Sequence, residues 1–145
     1  MGRNIVAVVV GYVVMFVVVM ATFTGVFLAM GADRAFQPGS YQVTGLWIFV
    51  STILSFAAAI LGGFVAGRIG KGPRAAHLLA IVVVVLGVIL AIPTLDAPEP
   101  GEPRTGEVGN TDAMMKAQQP PVISFLNPVI GAVGALLGSR LRRPS

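Results

Sequence analysis

Hydrophobic positions along the chain are concentrated in four long runs, separated by short polar segments. The runs cover about residues 5–30, 43–67, 75–92 and 121–138, and none of them contains Asp, Glu, Lys or Arg. A helix rises about 1.5 Å per residue and the hydrocarbon core of a bilayer is about 30 Å thick, so about 20 apolar residues suffice to cross it. The pattern predicts an all-α, polytopic membrane protein in which residues 1–145 form a single bundle of four transmembrane helices.

The composition supports this class and excludes several kinds of catalytic and metal-binding site. Of the 145 residues, 55% are hydrophobic and 11% are charged, whereas soluble domains average roughly 25% charged residues. The chain has no Cys and a single His, His77. Thiolate metal sites, a cysteine nucleophile and a haem held by two histidines are therefore excluded within one chain. We expect no catalytic residue, no metal and no cofactor.

Basic residues are distributed unevenly between the two sides of a four-span arrangement. Because Lys and Arg near span ends remain in the cytoplasm, the side with more of them is predicted to be cytoplasmic, together with both termini. This bias accounts for most of the net charge of +4, and we do not expect nucleic acid as a partner. The richer side carries Arg3, Arg68, Lys71, Arg74, Arg140, Arg142 and Arg143, and the other side carries Arg34, Arg104 and Lys116.

The segment from Leu95 to Gln119 is the one sizeable stretch predicted to lie outside the membrane. It is acidic and begins with several prolines. Asn110 or Thr111 is a typical helix cap, and a short helix is predicted from there to Gln119, ahead of Pro120. Its two methionines, Met114 and Met115, are expected to pack on the bundle, the membrane surface or a partner.

Small side chains recur on one face of three spans, which predicts how the helices pack. Transmembrane helices gain little by hiding large apolar residues from lipid, and close approach over small residues drives their association. We therefore expect these faces to point inward, and the valine-rich third span to be peripheral. The first face has Ala7, Gly11, Val14, Val18, Ala21, Gly25 and Ala29; the second has Ser51, Ser55, Ala58, Gly62 and Ala66, with Gly63 and Gly67 beside it; the fourth has Ser124, Asn127, Gly131, Gly134 and Gly138.

Aromatic residues occupy the opposite face of the first span. Tyr12, Phe16, Phe23 and Phe27 are predicted to point outward. Such a stripe can contact lipid, another protein subunit, or a pigment or quinone. Tyr41 and Trp47 stand where aromatic residues anchor a helix at the membrane surface.

Polar residues within the spans form one candidate cluster, consisting of Thr22, Ser51, Ser55, Ser124 and Asn127. Two interpretations remain open: hydrogen bonds between helices, or a site for a small ligand headgroup or a file of water. Pro128 follows Asn127 and cannot donate to the Ser124 carbonyl, which predicts a kink in the fourth span.

Two glycine-containing segments suggest a relationship to known proteins. They are Gly62-Gly63-Phe64-Val65-Ala66-Gly67-Arg68 and Arg104-Thr105-Gly106-Glu107-Val108-Gly109-Asn110. With these segments the chain resembles small four-span bacterial integral membrane proteins, a family with no assigned activity. The resemblance implies a location in the bacterial inner membrane.

The sequence favours a non-catalytic role. The first hypothesis is an accessory subunit that packs, among membrane lipids, against other membrane protein subunits or a second copy of itself. The alternative is a binder or carrier of a lipid or quinone-like molecule, built on the polar cluster around Asn127.

Overall fold

The computed structural model describes residues 2–96 and 103–141, and within these ranges the chain is helical without a β-strand. Four helices are long and apolar enough to cross a membrane, which confirms the predicted fold class and indicates a multi-pass membrane protein. Each covers one of the predicted apolar runs. The long helices are α1 (Gly2–Met30), α3 (Gly45–Gly70), α4 (Pro73–Ala91) and α6 (Pro121–Arg140); the short ones are α2 (Ala32–Ala35) and α5 (Asn110–Lys116), and a 3-10 turn at Ile92–Leu95 follows α4.

Local chemistry explains where the long helices begin and end. The Thr44 hydroxyl caps α3 by accepting a hydrogen bond from the Trp47 amide at 3.2 Å. Lys71 ends the same helix in the left-handed region at φ 53°, between two glycines. Pro73 then starts α4 at the first helical position, where a missing N–H costs nothing. This tight turn brings α3 and α4 together as antiparallel neighbours.

The bundle has two distinct ends. The termini end contains Gly2, the α3–α4 turn and Arg140; the loop end contains residues 31–44, 92–96 and 103–120. Of the basic residues predicted on the richer side, those within the described ranges lie at the termini end, while Arg142 and Arg143 fall outside the described residues. The three basic residues of the other side lie at the loop end.

Helix α4 is less buried than α3 and α6, with 17% of its most apolar stretch buried against 28% for each of them, which agrees with its predicted peripheral position. Helix α4 packs against α1, α3 and α6, and α3 likewise contacts each of the other long helices. The most exposed span is α1, with 11% of its most apolar stretch buried, against 17% for α4. Four small or apolar residues in the first half of α4, Ala75, Ala76, Leu79 and Ala80, make this close approach possible.

The inward face of α1 differs from the predicted one in its second half. Ala7 and Gly11 are buried as expected, but Ala21, Gly25 and Ala29 are exposed. The contacts instead follow the row of residues spaced by four, which is inclined to the helix axis and therefore winds around the helix. That row runs through Ala7, Gly11, Met15, Val19, Phe23 and Phe27.

Glycines hold the helices together toward the termini end. A Cβ atom at Gly63 would overlap the Ala135 carbonyl, and one at Gly138 would overlap the Ile60 carbonyl. Gly11, Gly62, Gly67, Gly131 and Gly134 also face a neighbouring helix closely. Gly25 does not, because a Cβ atom there would meet nothing within 4 Å. The packing prediction therefore agrees with the contacts at every named glycine except Gly25.

An aromatic cluster covers the loop end. Phe27, Phe36, Tyr41 and Trp47 are buried and contact one another edge to face, with ring centroids 5.7–6.1 Å apart. Tyr41 and Trp47, which were predicted to anchor a helix at the membrane surface, are each 8% exposed and pack inside this cluster.

The predicted outer segment folds back onto that cluster. Its short helix is observed as α5, which begins at Asn110 and ends at Lys116 rather than at Gln119. Gly109 occupies the cap position, and the Asn110 side chain points toward Thr24 of α1 instead of capping. Backbone hydrogen bonds join Gln118 to Tyr41 and Val43, at 2.9 and 3.0 Å. Residues 97–102 lie outside the described ranges.

Candidate functional site

A cavity of about 470 Å³ separates the long helices toward the loop end. We call it the lateral cavity. Its volume lies within the range of small-molecule sites, about 300–1,000 Å³. Residues from all four long helices line it, including Met15 and Phe16 of α1, Ser55 of α3, Gly87 and Leu90 of α4, and Ser124, Asn127 and Pro128 of α6. None of the lining residues is charged.

The predicted polar cluster divides into two groups. Thr22 and Ser51 do not line the lateral cavity, and each donates to a carbonyl of its own helix: Thr22 to Val18 at 2.7 Å and Ser51 to Ile48 at 3.1 Å. Ser55 and Ser124 do line it. Within the described ranges, neither of their hydroxyls has a hydrogen-bond partner. The cluster therefore combines hydroxyls already satisfied by helix carbonyls with hydroxyls still available to a ligand.

Asn127 pairs with a residue that the sequence did not single out. Its Nδ2 atom donates to Oε1 of Gln119 at 3.2 Å, and both side chains line the lateral cavity. One pair of amide atoms, Asn127 Oδ1 and Gln119 Nε2, has no partner within the described part of the chain. Gln119 directly precedes Pro120-Pro121 at the start of α6. Its position, a polar residue at the entry of an apolar span, is the signal in the sequence that could have identified it.

Pro128 shapes the wall of the cavity. Helix α6 continues through it, and its ring packs where a side chain at Gly87 of α4 would otherwise stand. Because proline has no N–H, the Ser124 carbonyl lacks its usual donor one turn away. That carbonyl belongs to a residue that lines the cavity.

The lateral cavity is open between α1 and α4. These helices meet near Gly11 and Leu79, and toward the loop end they face each other across the cavity. Two of the lining residues on its open side are strongly exposed, Phe16 at 58% and Leu90 at 72%. In a membrane this opening faces the lipid, so a hydrophobic molecule has direct access to the uncharged polar groups inside.

A second cavity, of about 240 Å³, lies beneath α5. We call it the aromatic cavity, because its lining includes the rings of Phe23, Phe27, Phe36 and Trp47 together with Asn110. It adjoins the lateral cavity, with which it shares four lining residues, Val19, Met114, Ala117 and Gln119. Met114 thus packs against the bundle, whereas Met115 is 82% exposed.

The four aromatic residues predicted to form an outward face do not act as one surface. Phe27 is buried, Phe23 packs beside Trp47 at a centroid distance of 5.8 Å, and Tyr12 packs against the cluster of Ala66, Leu79 and Ala135. Only Phe16 is strongly exposed. The cause is the winding contact row of α1, which turns the ring-bearing side of this helix inward at the loop end.

An ion pair ties the outer segment to the loop after α1. Arg104 donates from Nη1 to Oδ1 of Asp33 at 3.1 Å, and its amide donates to the Gly39 carbonyl at 2.9 Å. The Arg104 side chain is 9% exposed and that of Asp33 is 95% exposed. Together with Gln118, these contacts hold α5 over the aromatic cavity from both sides.

The termini end contains a polar depression of about 440 Å³ around the α3–α4 turn, lined by Arg3, Asn4, Lys71 and Arg74. Here Arg3 donates to the Gly70 carbonyl at 3.4 Å. His77 lies one turn into α4, where its Nδ1 atom is 2.7 Å from the Pro73 carbonyl. Within the described ranges, no three His, Asp or Glu side chains are grouped as metal ligands.

Comparisons with known proteins identify no relative. No protein-family model, no curated protein and no solved structure matches the chain. Function therefore has to be inferred from the cavities and from the side chains that line them.

Proposed function

We propose that the chain binds a neutral, weakly polar lipid or quinone-like molecule in the lateral cavity. One observation carries this proposal: a cavity of about 470 Å³ holds the Ser55 and Ser124 hydroxyls and the Asn127–Gln119 amide pair, all with unused hydrogen-bonding capacity. Polar groups inside a membrane are costly when they lack partners. A ligand that carries hydroxyl or carbonyl groups would satisfy them.

Charge and shape narrow the class of ligand. Because none of the described residues that line the lateral cavity is charged, none of them would compensate for a charged headgroup, and a neutral ligand is favoured. The opening between α1 and α4 supports entry from the lipid phase rather than from water. Carrier activity driven by an ion would need a charged residue within the spans, and the four apolar runs contain none. Binding, rather than coupled transport, is the activity we propose.

The test compares two pairs of hydroxyls within one protein. We would extract the protein with its native lipids and identify bound molecules by mass spectrometry. The double variant Ser55→Ala/Ser124→Ala is expected to lose the ligand and keep its melting temperature, because neither hydroxyl has a hydrogen-bond partner among the described residues. The matched control is Ser51→Ala/Ser139→Ala, whose hydroxyls donate to Ile48 and Leu136 within their own helices. It is expected to keep the ligand. A wild-type protein without any retained molecule would contradict the proposal.

A second candidate is the non-catalytic accessory subunit that the sequence favoured. Its support is now limited to exposed aromatic residues, Phe16 at 58% and Phe49 at 65%, since the other aromatic residues of α1 serve the chain's own packing. Aromatic residues are common anchors of protein interfaces. Native gels after mild extraction test this proposal. If the chain migrates alone, and Phe16→Leu and Phe49→Leu leave its migration unchanged, the accessory role is wrong.

We also propose that the termini end faces the cytoplasm of a bacterial inner membrane. The support is the excess of Arg and Lys at this end, where Arg3, Arg68, Lys71, Arg74 and Arg140 lie. Cysteine labelling in intact cells is straightforward because the chain has no Cys of its own. An impermeant reagent is expected to label Gly106→Cys and to spare Ser145→Cys. The opposite result would reverse the orientation.

A further inference from the structure

The aromatic cavity borders a polar group that the described part of the chain leaves unsatisfied. The Oδ1 atom of Asn110 is buried and has no hydrogen-bond partner among the described residues, while its Nδ2 atom lies 3.4 Å from the Thr24 hydroxyl and 3.8 Å from the Met114 sulfur. Asn110 lines the cavity together with four aromatic side chains. A buried acceptor without a donor destabilises the fold, so the Oδ1 atom points to a missing hydrogen-bond donor.

The chemistry of the lining selects among possible ligands. Aromatic side chains prefer to contact other rings, edge to face or offset, and four of them surround this cavity. A hydroxyl group can donate the hydrogen bond that Asn110 Oδ1 lacks. A carbonyl cannot donate to Oδ1, and a quaternary ammonium group, which aromatic cages also bind, has no hydrogen to donate.

The adjoining cavities provide space for a second part of the same ligand. The aromatic cavity meets the lateral cavity at Val19, Met114, Ala117 and Gln119, and the lateral cavity opens toward lipid between α1 and α4. A ring in the first cavity can therefore carry an apolar chain that passes through the second. The lining of both cavities is uncharged, which fits a neutral molecule throughout.

We propose that the aromatic cavity is the ring subsite of this protein and that it binds a neutral hydroxylated ring, of the hydroquinone type, attached to an apolar chain. Asn110 accepts the hydrogen bond from the hydroxyl, Trp47 and the phenylalanines contact the ring, and α5 covers it. This inference rests on the proposed function, because the chain of the ligand would occupy the lateral cavity.

The probes for the test are decylhydroquinone and its dimethyl ether, which share ring and chain but differ in the ability to donate a hydrogen bond. Trp47 is the only tryptophan, so its fluorescence reports directly on the aromatic cavity. Equilibrium dialysis measures total binding independently of the fluorescence. We expect decylhydroquinone to change Trp47 emission and to bind about 3- to 10-fold more tightly than the ether, the value of one hydrogen bond.

Variants of α5 separate a hydrogen bond from general damage. Asn110→Ala is expected to weaken decylhydroquinone about 3- to 10-fold and to leave the affinity for the ether unchanged. The neighbouring Thr111→Ala is the matched control, since Thr111 is exposed and does not line the cavity, and both affinities should stay as in the wild type. Because the ether binds without the hydrogen bond, its unchanged affinity shows that the Asn110→Ala cavity is intact.

Each outcome decides between the two proposals. Equal wild-type affinities for both probes, or a loss of both in Asn110→Ala, would overturn the ring subsite, as would tighter binding of tetramethylammonium than of decylhydroquinone. If dialysis detects binding that Ser55→Ala/Ser124→Ala abolishes while Trp47 emission never changes, only the ring subsite is wrong. If the Trp47 response persists at full affinity in that double variant, the lateral cavity is wrong. The absence of all binding overturns both.

Discussion

The termini half and the loop half of the bundle are built from different side chains. Toward the termini end, backbones approach over glycine and alanine, and Leu79 is the one large, fully buried side chain recorded in the described ranges. Toward the loop end, the rings of Phe27, Phe36, Tyr41 and Trp47 replace them, and two cavities remain. The comparison shows that a short chain can hold its helices tightly at one end and keep them apart at the other.

The difference has a physical cause. Contact over small residues brings helix backbones close, and little space remains between them. Aromatic rings and a folded outer segment set a wider separation, which small side chains such as Ser55 and Ser124 do not fill. We therefore expect substitutions in the termini half to act mainly on stability, and substitutions in the loop half to act on the cavities and their cover.

The largest expected effect comes from adding bulk to the termini half. In Gly63→Leu, the new side chain would overlap the Ala135 backbone, which cannot move without separating α3 from α6. We expect loss of the folded bundle, or a fall in the free energy of unfolding of more than about 3 kcal/mol, beyond the usual cost of overpacking. Thermal unfolding monitored by circular dichroism in detergent measures it.

The matched control is Gly25→Leu in α1. Gly25 was also predicted to pack, but a side chain there would meet open space, so the melting temperature should change little. If Gly25→Leu proved as damaging as Gly63→Leu, the two halves would not differ in the way described.

An intermediate effect is expected from removing a ring in the loop half. Phe27 is 7% exposed and contacts Phe36 and Trp47 at centroid distances of 6.1 Å. Phe27→Ala should lower the free energy of unfolding by about 2–4 kcal/mol, near the lower part of the range for buried phenylalanine, because the site already borders a cavity. Chemical denaturation of the purified protein gives the value.

Phe16→Ala is the corresponding substitution on the lipid-facing side of α1. Since Phe16 is 58% exposed, its loss should cost less than about 1 kcal/mol. Similar losses for the two phenylalanines would contradict the inward turn of α1 at the loop end.

The smallest effect is expected at the ion pair over the loop end. Arg104→Gln removes the contact with Asp33. Because the Asp33 side chain is 95% exposed, solvent screens the pair, which is worth no more than about 1 kcal/mol although Arg104 itself is 9% exposed. Global stability should change little, since the Gln side chain keeps part of the packing. Amide hydrogen exchange of residues 103–109 should instead become faster, because the segment loses one of its contacts with the loop after α1.

Arg34→Gln serves as the control, since no ion pair of Arg34 is recorded among the described residues. Exchange in the 103–109 segment should stay as in the wild type. High salt should reproduce part of the Arg104→Gln effect, and insensitivity to both changes would show that the ion pair does not hold the cover.

Sequence patterns predicted the four spans and the glycine faces over which α3 and α6 pack. Charge-free runs such as residues 5–30 favour a membrane helix, because a helix pairs its own backbone groups where lipid offers them no partner. The glycine faces of α3 and α6 were likewise predictable, since both helices approach each other over the faces that small residues mark. The turn at Pro38-Gly39, where Gly39 has a φ of 67°, is likewise typical of this dipeptide.

The site depended on contacts that no single helix encodes. The inward side of α1 changes along its length because its contact row winds around the helix, and this depends on how the neighbouring helices cross it. The roles of Gln119 and Asn110 arise from residues far away in the chain, since Asn110 meets Thr24 across 86 positions.

By itself, the sequence determined that this chain forms four membrane helices and which of its glycines could bring α3 and α6 together, because hydropathy and side-chain size act locally. Only the tertiary structure decided which rings turn inward and where the helices leave a cavity, because those follow from the crossing of α1 and the folding of the outer segment over it.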